Sequence, residues 1–255
     1  MHEIHLQFLY GTCPGRLILR LLTHPCLSRV CGSLLDTGLS ASIVPAFIRK
    51  YNIDMSDYEE KDYSSFNDFF TRQVKEGARP ICQEDDALIS PCDGLLSVWP
   101  IKEGLVLPVK QSQYSMGDLL RNKSLADRFQ DGLCLVFRLC VNHYHRYCFF
   151  DDAIPIASRR IPGRLHTVRP IALRSVPVFA ENSREYAVLK TFHFGLAVQM
   201  EVGAMLVGKI DNHPFPEKEN SMRPPVKRGE EKGKFLYGGS TIIVLLEKDR
   251  ARLSP

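Results

Sequence analysis

Residues 229–246 read Gly-Glu-Glu-Lys-Gly-Lys-Phe-Leu-Tyr-Gly-Gly-Ser-Thr-Ile-Ile-Val-Leu-Leu, a turn that runs directly into an apolar strand. Gly238 and Gly239 end the turn, and Ser240 opens the strand. Two glycines permit backbone conformations closed to other residues, so the Ser240 hydroxyl could turn back onto the Gly239 carbonyl. Such an acyl shift needs a base for the hydroxyl and donors for the oxyanion. The same residues also suit an ordinary hairpin turn, and the segment alone does not distinguish the two interpretations.

The rest of the chain after Pro80 alternates short apolar runs with Gly, Pro and Asp turns, which predicts a mostly β sandwich or barrel. The strand-like runs are 87–99, 104–110, 133–141, 145–150, 165–173, 187–191, 196–210 and 240–247. Within this part only 115–130 is predicted to be helical, and the polar, Pro-rich stretch 211–232 is predicted to be a long loop.

Residues 8–50 differ from this pattern, because their apolar residues recur at helical spacing with basic residues between them. Residues 51–80 are acidic and polar, with Phe66, Phe69 and Phe70 as apolar anchors and Gly77–Pro80 as a boundary. We therefore expect an α+β fold. A helical N-terminal segment, 1–75, precedes a β-rich sandwich or barrel-like domain, 76–255.

The composition excludes several classes of protein. Of the 255 residues, 44% are hydrophobic and 24% charged, a globular balance that excludes bulk disorder. The net charge of +4 is too weak to indicate nucleic acid as a partner. Residues 1–50 carry five basic residues against two acidic ones, so most of the excess lies there. These basic, apolar helices suit either packing on a core or contact with an anionic membrane.

The eight cysteines include no Cys-x-x-Cys pair, and several lie in apolar runs, where cysteine acts as a small hydrophobic residue. We therefore expect a reduced, cytosolic protein without zinc or another metal. The sequence has no run of about 18 apolar residues, so no membrane-spanning helix is expected. His2, Glu3 and His5 stand where a secretory signal has basic residues, so no such signal is expected.

Three further segments hold candidate catalytic residues. Asp93, in Ser90–Gly94, could orient a histidine, although Asp-Gly usually marks only a turn. His143 and His145 are two apart and are expected on one side of a strand, where His145 could act as a general acid or base. His166 is a further candidate, although a lone histidine in a strand is more often structural.

Four segments occur in one fixed order, at 90–94, 144–147, 202–210 and 229–241. Their sequences are Ser-Pro-Cys-Asp-Gly, Tyr-His-Arg-Tyr, Val-Gly-Ala-Met-Leu-Val-Gly-Lys-Ile and the Gly-Glu-Glu to Gly-Gly-Ser-Thr stretch. Together they resemble the phosphatidylserine decarboxylase family, most closely its bacterial branch with the Gly-Gly-Ser-Thr motif. Residues 66–72 and 9–12 are also similar, so the resemblance covers nearly the whole chain.

The resemblance implies a proenzyme that cuts itself between Gly239 and Ser240 into chains 1–239 and 240–255. It also implies that Ser240 becomes a pyruvoyl group, the pyruvate cofactor, which binds the substrate amine as a Schiff base. Phosphatidylserine would be converted to phosphatidylethanolamine and CO2. Asp93, a histidine and Ser240 would form the self-cleavage triad.

The sequence departs from the family pattern at a position that bears on the triad. Many members have a second histidine three residues after the one matched by His145, and this chain has Cys148 there. Two possibilities stay open: His145 serves both cleavage and decarboxylation, or His166 replaces the missing histidine. Gly238 stands where many members have Leu, and His143 where an acidic residue is usual.

The resemblance further implies phosphatidylserine in the membrane as a partner, a homodimer, and a peripheral location on the cytoplasmic side of the cell membrane. The N-terminal helices would contact lipid, and 211–232 would form a lid. The alternatives are a pyruvoyl-dependent decarboxylase of a free amino acid, a lipoyl-like binding module whose chain stays uncut, and an inactive relative.

Overall fold

The computed structural model describes residues 3–102, 105–109, 112–205, 209–215, 223–237 and 240–252. The helices are α1 (Glu3–Gly11), α2 (Cys13–Leu22), α3 (Pro25–Leu35), a 3-10 helix (Gly38–Ile43), α4 (Val44–Tyr51), α5 (Phe66–Phe70), α6 (Met116–Leu120), α7 (Lys123–Asp127), α8 (Pro170–Leu173) and α9 (Val178–Glu181). The strands are β1 (Leu95–Pro100), β2 (Leu105–Val109), β3 (Ser112–Ser115), β4 (Leu133–Leu139), β5 (Arg146–Cys148), β6 (Ala153–Ile161), β7 (Arg184–Thr191), β8 (Leu196–Val202), β9 (Ile210–Asn212), β10 (Glu231–Phe235) and β11 (Ser240–Leu246).

Side-chain caps define where the first helices begin. The Thr12 hydroxyl accepts a hydrogen bond from the Gly15 amide at the start of α2, and a His24 ring nitrogen accepts from the Cys26 amide at the start of α3. Both helices also have proline in the first turn, where its missing N–H costs nothing. A Cβ at Gly15 would overlap the Phe8 carbonyl, so this glycine lets α1 and α2 pack closely.

The centre of the fold is a six-stranded antiparallel sheet with the order β1-β4-β11-β8-β7-β6. All seven residues of β11 are buried, and this strand pairs with β4 on one side and β8 on the other. A three-stranded sheet, β5-β10-β9, and a β2–β3 hairpin complete the described strands.

Different elements pack on the two faces of the large sheet. On one face, Glu201 of β8 contacts Lys232 of β10, so the three-stranded sheet packs there. On the other face, Arg184 of β7 donates to the carbonyls of Asp118 and Leu119 in α6. The expected α+β fold with a β-rich domain is therefore confirmed.

The N-terminal helices contribute to two apolar clusters. Leu6, Leu9 and Leu19 belong to the main core of the sheet domain. A second cluster, around Val44 and the α5 aromatic residues, lies under α4. The boundary between 1–75 and 76–255 stays a prediction. No single helix in the described ranges has the length and apolarity to span a membrane, whereas α3 plus 38–51, bent by 82°, meets that test by length and composition.

Several local predictions were wrong. Residues 165–173 form a loop and α8 instead of a strand, and the longest strand, β6, was not expected. β6 is an edge strand whose residues 156–160 are exposed, so its apolar alternation is weak. His143 lies in a turn before β5, where its Nδ1 accepts from the Cys140 amide at 3.1 Å. His145 directly precedes β5, so neither histidine lies in a strand.

Candidate active site

The strand register brings the predicted site residues to one end of the large sheet. One row of directly paired residues crosses all six strands: Leu95, Arg138, Thr241, Val202, Arg184 and Ile161. Each of the six strands begins or ends at this row or one residue beyond it. Asp93 therefore precedes the row, Ser240 begins the central strand beside it, and the segments with His145 and His166 follow β4 and β6.

Ser240 is fully buried where β11 begins. Within the described part of the chain, its Oγ has no hydrogen-bond partner. A buried hydroxyl without a partner costs about 1–3 kcal/mol, and such atoms in native proteins often have a functional reason. Gly238 and Gly239, which precede it at the predicted cleavage site, lie outside the described residues.

Asp93 is bound by an arginine that sequence reasoning did not identify. Arg79 donates from Nε and Nη2 to the two carboxylate oxygens, each at 3.1 Å, and from Nη1 to Asp57 at 2.9 Å. The hydrogen bonds to Asp93 raise the pKa of Arg79 above its usual value. The sequence suggested only a boundary at Gly77–Pro80, and an arginine just before that proline was the available signal.

His145 is fully buried beside the segment that leads to Ser240. Its Nδ1 lies 2.9 Å from the His143 carbonyl oxygen, which can only accept a hydrogen bond. We therefore assign the proton of the neutral ring to Nδ1 and the lone pair to Nε2. The ring packs on Phe70 with 4.0 Å between centroids, and Phe70 in turn contacts Tyr237 at 5.2 Å.

Cys148 lines a cavity of about 530 Å³ together with Asp93, Tyr144 and Arg146. The volume is in the usual range for small-molecule sites. Burial raises the pKa of the Cys148 thiol to about 12. The thiol is therefore neutral near pH 7 and is poorly suited to take a proton from a serine hydroxyl.

His166 lies at the same end of the sheet, but its ring joins two helices. Its Nδ1 is 3.3 Å from the Tyr10 hydroxyl of α1. Its Nε2 is 3.3 Å from a Glu181 carboxylate oxygen of α9, an ion-pair distance without good hydrogen-bond alignment. This contact lowers the pKa of Glu181. The Asn182 side chain bonds both the amide and the carbonyl of His166, so the histidine backbone is fixed as well.

Asn67 is a second residue that sequence reasoning missed. It is almost fully buried in α5, and its Oδ1 accepts from the Tyr237 amide at 3.3 Å. Its Nδ2 donates to Asp36 at 2.8 Å. One side chain thus joins the approach to Ser240 to the end of α3. A polar residue between the aromatic residues of Phe66–Phe70 was the signal for this role.

A buried ion pair lies on the Ser240 face of the sheet. Lys232 Nζ is 2.6 Å from Glu201 Oε2, and both side chains are buried. Asn212 donates to the same carboxylate oxygen and accepts from Lys232. Burial raises the pKa of Glu201 and the neighbouring Lys232 opposes that shift. Glu201 pairs with Ile242, two residues after Ser240, so the cluster adjoins the site.

Comparisons with known proteins assign this arrangement to a family. Residues 66–255 match the family model for phosphatidylserine decarboxylase. The phosphatidylserine decarboxylase proenzyme 2 of Clostridium acetobutylicum is 45% identical over 244 residues, which cover 95% of this chain and 81% of that protein. The phosphatidylserine decarboxylase proenzyme of Clostridium botulinum strain Alaska E43 is 38% identical over 97% of this chain and 83% of its own length. That of Desulfitobacterium hafniense is 38% identical over 93% and 80%. The chain therefore belongs to the phosphatidylserine decarboxylase family.

Proposed function

We propose that the chain is a proenzyme that cuts itself before Ser240 and then decarboxylates phosphatidylserine to phosphatidylethanolamine. The observation that carries the proposal is the buried Ser240 where the central strand begins, whose Oγ has no hydrogen-bond partner among the described residues. A serine in an ordinary hairpin turn would be exposed to water. The buried site excludes water from the acyl shift and so protects the ester that forms.

The position of β11 explains how a short second chain could stay in place after cleavage. Residues 240–255 would form this chain, and its strand pairs with β4 and β8 along its length. Ile242–Leu246 are fully buried. Burial of such side chains contributes about 1.5–3 kcal/mol each, so the cut strand is held by its neighbours.

We assign the proton acceptor for the Ser240 hydroxyl to His145 in preference to His166. His145 Nδ1 faces the His143 carbonyl oxygen and the ring packs on Phe70 beside the segment that leads to Ser240, while both ring nitrogens of His166 face residues in helices. The same histidine would later return a proton to the substrate Cα. Asp93, fixed by Arg79, would supply negative charge near His143 and the β4–β5 turn.

The pyruvoyl group formed from Ser240 would supply the electron sink for decarboxylation. The residues around Ser240 suit such a group. The strand start is enclosed, and the site is bordered by a cavity large enough for a lipid head group.

Contact with a membrane is supported by the exposed faces of α2 and α3. Leu17 and Leu21 are 65% and 71% exposed, and Val30 and Leu34 are 59% and 63% exposed. Arginines lie between them, and neither helix contains an acidic residue. Exposed apolar side chains with arginines suit a peripheral location on an anionic bilayer, and this favours a lipid over a free amino acid as substrate. The homodimer and the cytoplasmic side stay predictions.

The test is the mass of the denatured protein, with Ser240→Ala as the control. The wild type should give chains 1–239 and 240–255, with the small chain lighter by one ammonia than a chain that begins with serine. It should release CO2 from phosphatidylserine vesicles and much less from free serine. Ser240→Ala should stay in one piece and be inactive. A wild-type chain that stays whole, or cleavage in Ser240→Ala, would refute the proposal.

A further inference from the structure

A second recess opens at the Ser240 end of the large sheet, away from the cavity beside Asp93. Its volume is about 250 Å³, and it lies where α3 meets the end of β6 and the start of β7. Arg29 of α3 and Arg160 of β6 line it from opposite elements. Buried Arg184 also lines it, with its guanidinium bonded to backbone carbonyls. That guanidinium lies on the opposite face of the sheet from Arg160, where it donates to α6 carbonyls, so the recess presents two exposed cations, Arg29 and Arg160.

The two exposed arginines form no ion pair with a carboxylate in the described part of the chain. Among the described residues, neither Arg29 nor Arg160 forms an ion pair within 4.0 Å. The Arg29 guanidinium has a polar contact with Cys26 Sγ at 3.1 Å. Glu185 faces Arg160 in the strand register and is the one acidic residue among the described residues that line the recess. Two arginines against one glutamate leave the recess positive.

The recess adjoins both the exposed apolar face of α3 and the site. Arg29 precedes Val30, and these two share the exposed face of α3 with Leu34. Gly203 also lines the recess and directly follows Val202, which pairs with Thr241. An anion held here would therefore lie between a surface suited to lipid and the end of the sheet where Ser240 is found.

We infer that this recess binds the phosphate group of an anionic phospholipid in the bilayer surface. A guanidinium presents paired donors that match phosphate oxygens, and two from different elements can hold one phosphate. The neighbouring apolar side chains would enter the acyl boundary while the phosphate fills the recess. The inference rests on the membrane contact proposed above and adds a defined lipid site to it.

The experiment compares vesicle binding of the full chain with that of Arg29→Gln/Arg160→Gln. Vesicles of phosphatidylcholine alone are compared with vesicles that also contain phosphatidylglycerol, which is anionic and is not the proposed substrate. A basic residue near an anionic surface contributes about fivefold to binding, so the double variant should bind anionic vesicles about 30-fold more weakly. The matched control is Lys190→Gln/Lys248→Gln, which removes two exposed charges at the opposite end of the sheet. The control should bind almost as well as the wild type.

The outcomes separate this inference from the proposed function. Equal loss in the two double variants would mean that only net charge matters and would overturn the lipid site. So would strong anionic binding by Arg29→Gln/Arg160→Gln. Inorganic phosphate that binds in solution, with vesicle binding unchanged in the variant, would identify a soluble-phosphate site instead. No binding of the wild type to any vesicle would refute the proposed membrane contact, while chain cleavage would still be measurable by mass.

Discussion

Arg79 holds both carboxylate oxygens of Asp93 in a two-pronged ion pair, with each N–O distance at 3.1 Å. Both residues line the cavity that also contains Cys148. A family member with a second histidine at the position of Cys148 could pair that ring with the aspartate. This chain has a neutral thiol at that position, and Asp93 is paired with the Arg79 guanidinium instead. The arginine therefore fixes where the Asp93 charge lies.

We predict that Arg79→Leu slows self-cleavage about 100-fold, because a carboxylate displaced by about 1 Å loses its effect on neighbouring groups. The cleavage rate of Arg79→Lys should lie between those of this variant and the wild type, since lysine keeps the positive charge but cannot donate two parallel hydrogen bonds to the carboxylate. Cleavage is followed on denaturing gels after rapid refolding. Asp57→Asn removes the other partner of Arg79 and serves as the control. An unchanged cleavage rate in Arg79→Leu would show that Asp93 does not need the ion pair with Arg79 for self-cleavage.

We predict that Cys148→Ala cleaves itself at nearly the wild-type rate, because a thiol with a pKa near 12 does not carry protons at neutral pH. His145→Gln, in contrast, should slow cleavage by about 10²–10⁴-fold, the usual contribution of a general base. Both rates are measured by mass spectrometry of timed samples. Loss of cleavage in Cys148→Ala, with retention in Cys148→Ser, would make the group at 148 the proton carrier.

The Glu201–Lys232 pair leads to a prediction about stability. Lys232→Met should lower the free energy of unfolding by about 3–5 kcal/mol, because it leaves a buried carboxylate without its cation. The double variant Glu201→Leu/Lys232→Met should recover most of this loss, because well-packed apolar residues can replace a buried ion pair. Urea unfolding of the three proteins gives the values. A double variant as unstable as Lys232→Met would show that apolar residues cannot replace this ion pair.

The same pair gives a pH dependence with a defined sign. Burial raises the pKa of Glu201 in the folded state, so its protonated form is favoured by folding. Stability from this group is present below its unfolded pKa of about 4.5 and is lost as the pH rises through the folded value. Without Lys232 the folded pKa rises further. The difference in unfolding free energy between wild type and Lys232→Met should therefore widen from pH 4 to pH 7.

The sequence was sufficient for the central strand and insufficient for its surroundings. The Ile242–Leu246 run is continuously apolar, and a strand buried on both faces has this pattern. β6 was not predicted because an edge strand can expose its residues, here including Arg159 and Arg160, and so lacks a clear apolar pattern. The Arg79–Asp93 pair joins residues 14 apart through loop geometry, for which sequence periodicity gives no signal.

The histidines show a similar limit for the site. His145 and His166 could not be ranked from sequence, because Cys148 stands where many family members have a second histidine and neither of the two occupies that position. The distinction depends on what each ring nitrogen meets. His145 Nδ1 meets a neighbouring carbonyl, whereas His166 meets Tyr10, which is 156 positions away in the chain.

His166 should therefore be needed for the seating of α1 and dispensable for cleavage. We predict that His166→Gln and Tyr10→Phe each lower the free energy of unfolding by about 1 kcal/mol, the net value of a typical hydrogen bond. Both should expose α1 to limited proteolysis, since the ring joins α1 to Glu181 of α9. Cleavage before Ser240 should keep its wild-type rate in both variants. His166→Gln could instead fail to cleave itself while its unfolding free energy and protease resistance match those of Tyr10→Phe. In that case His166 would be the base, and the assignment to His145 would be wrong.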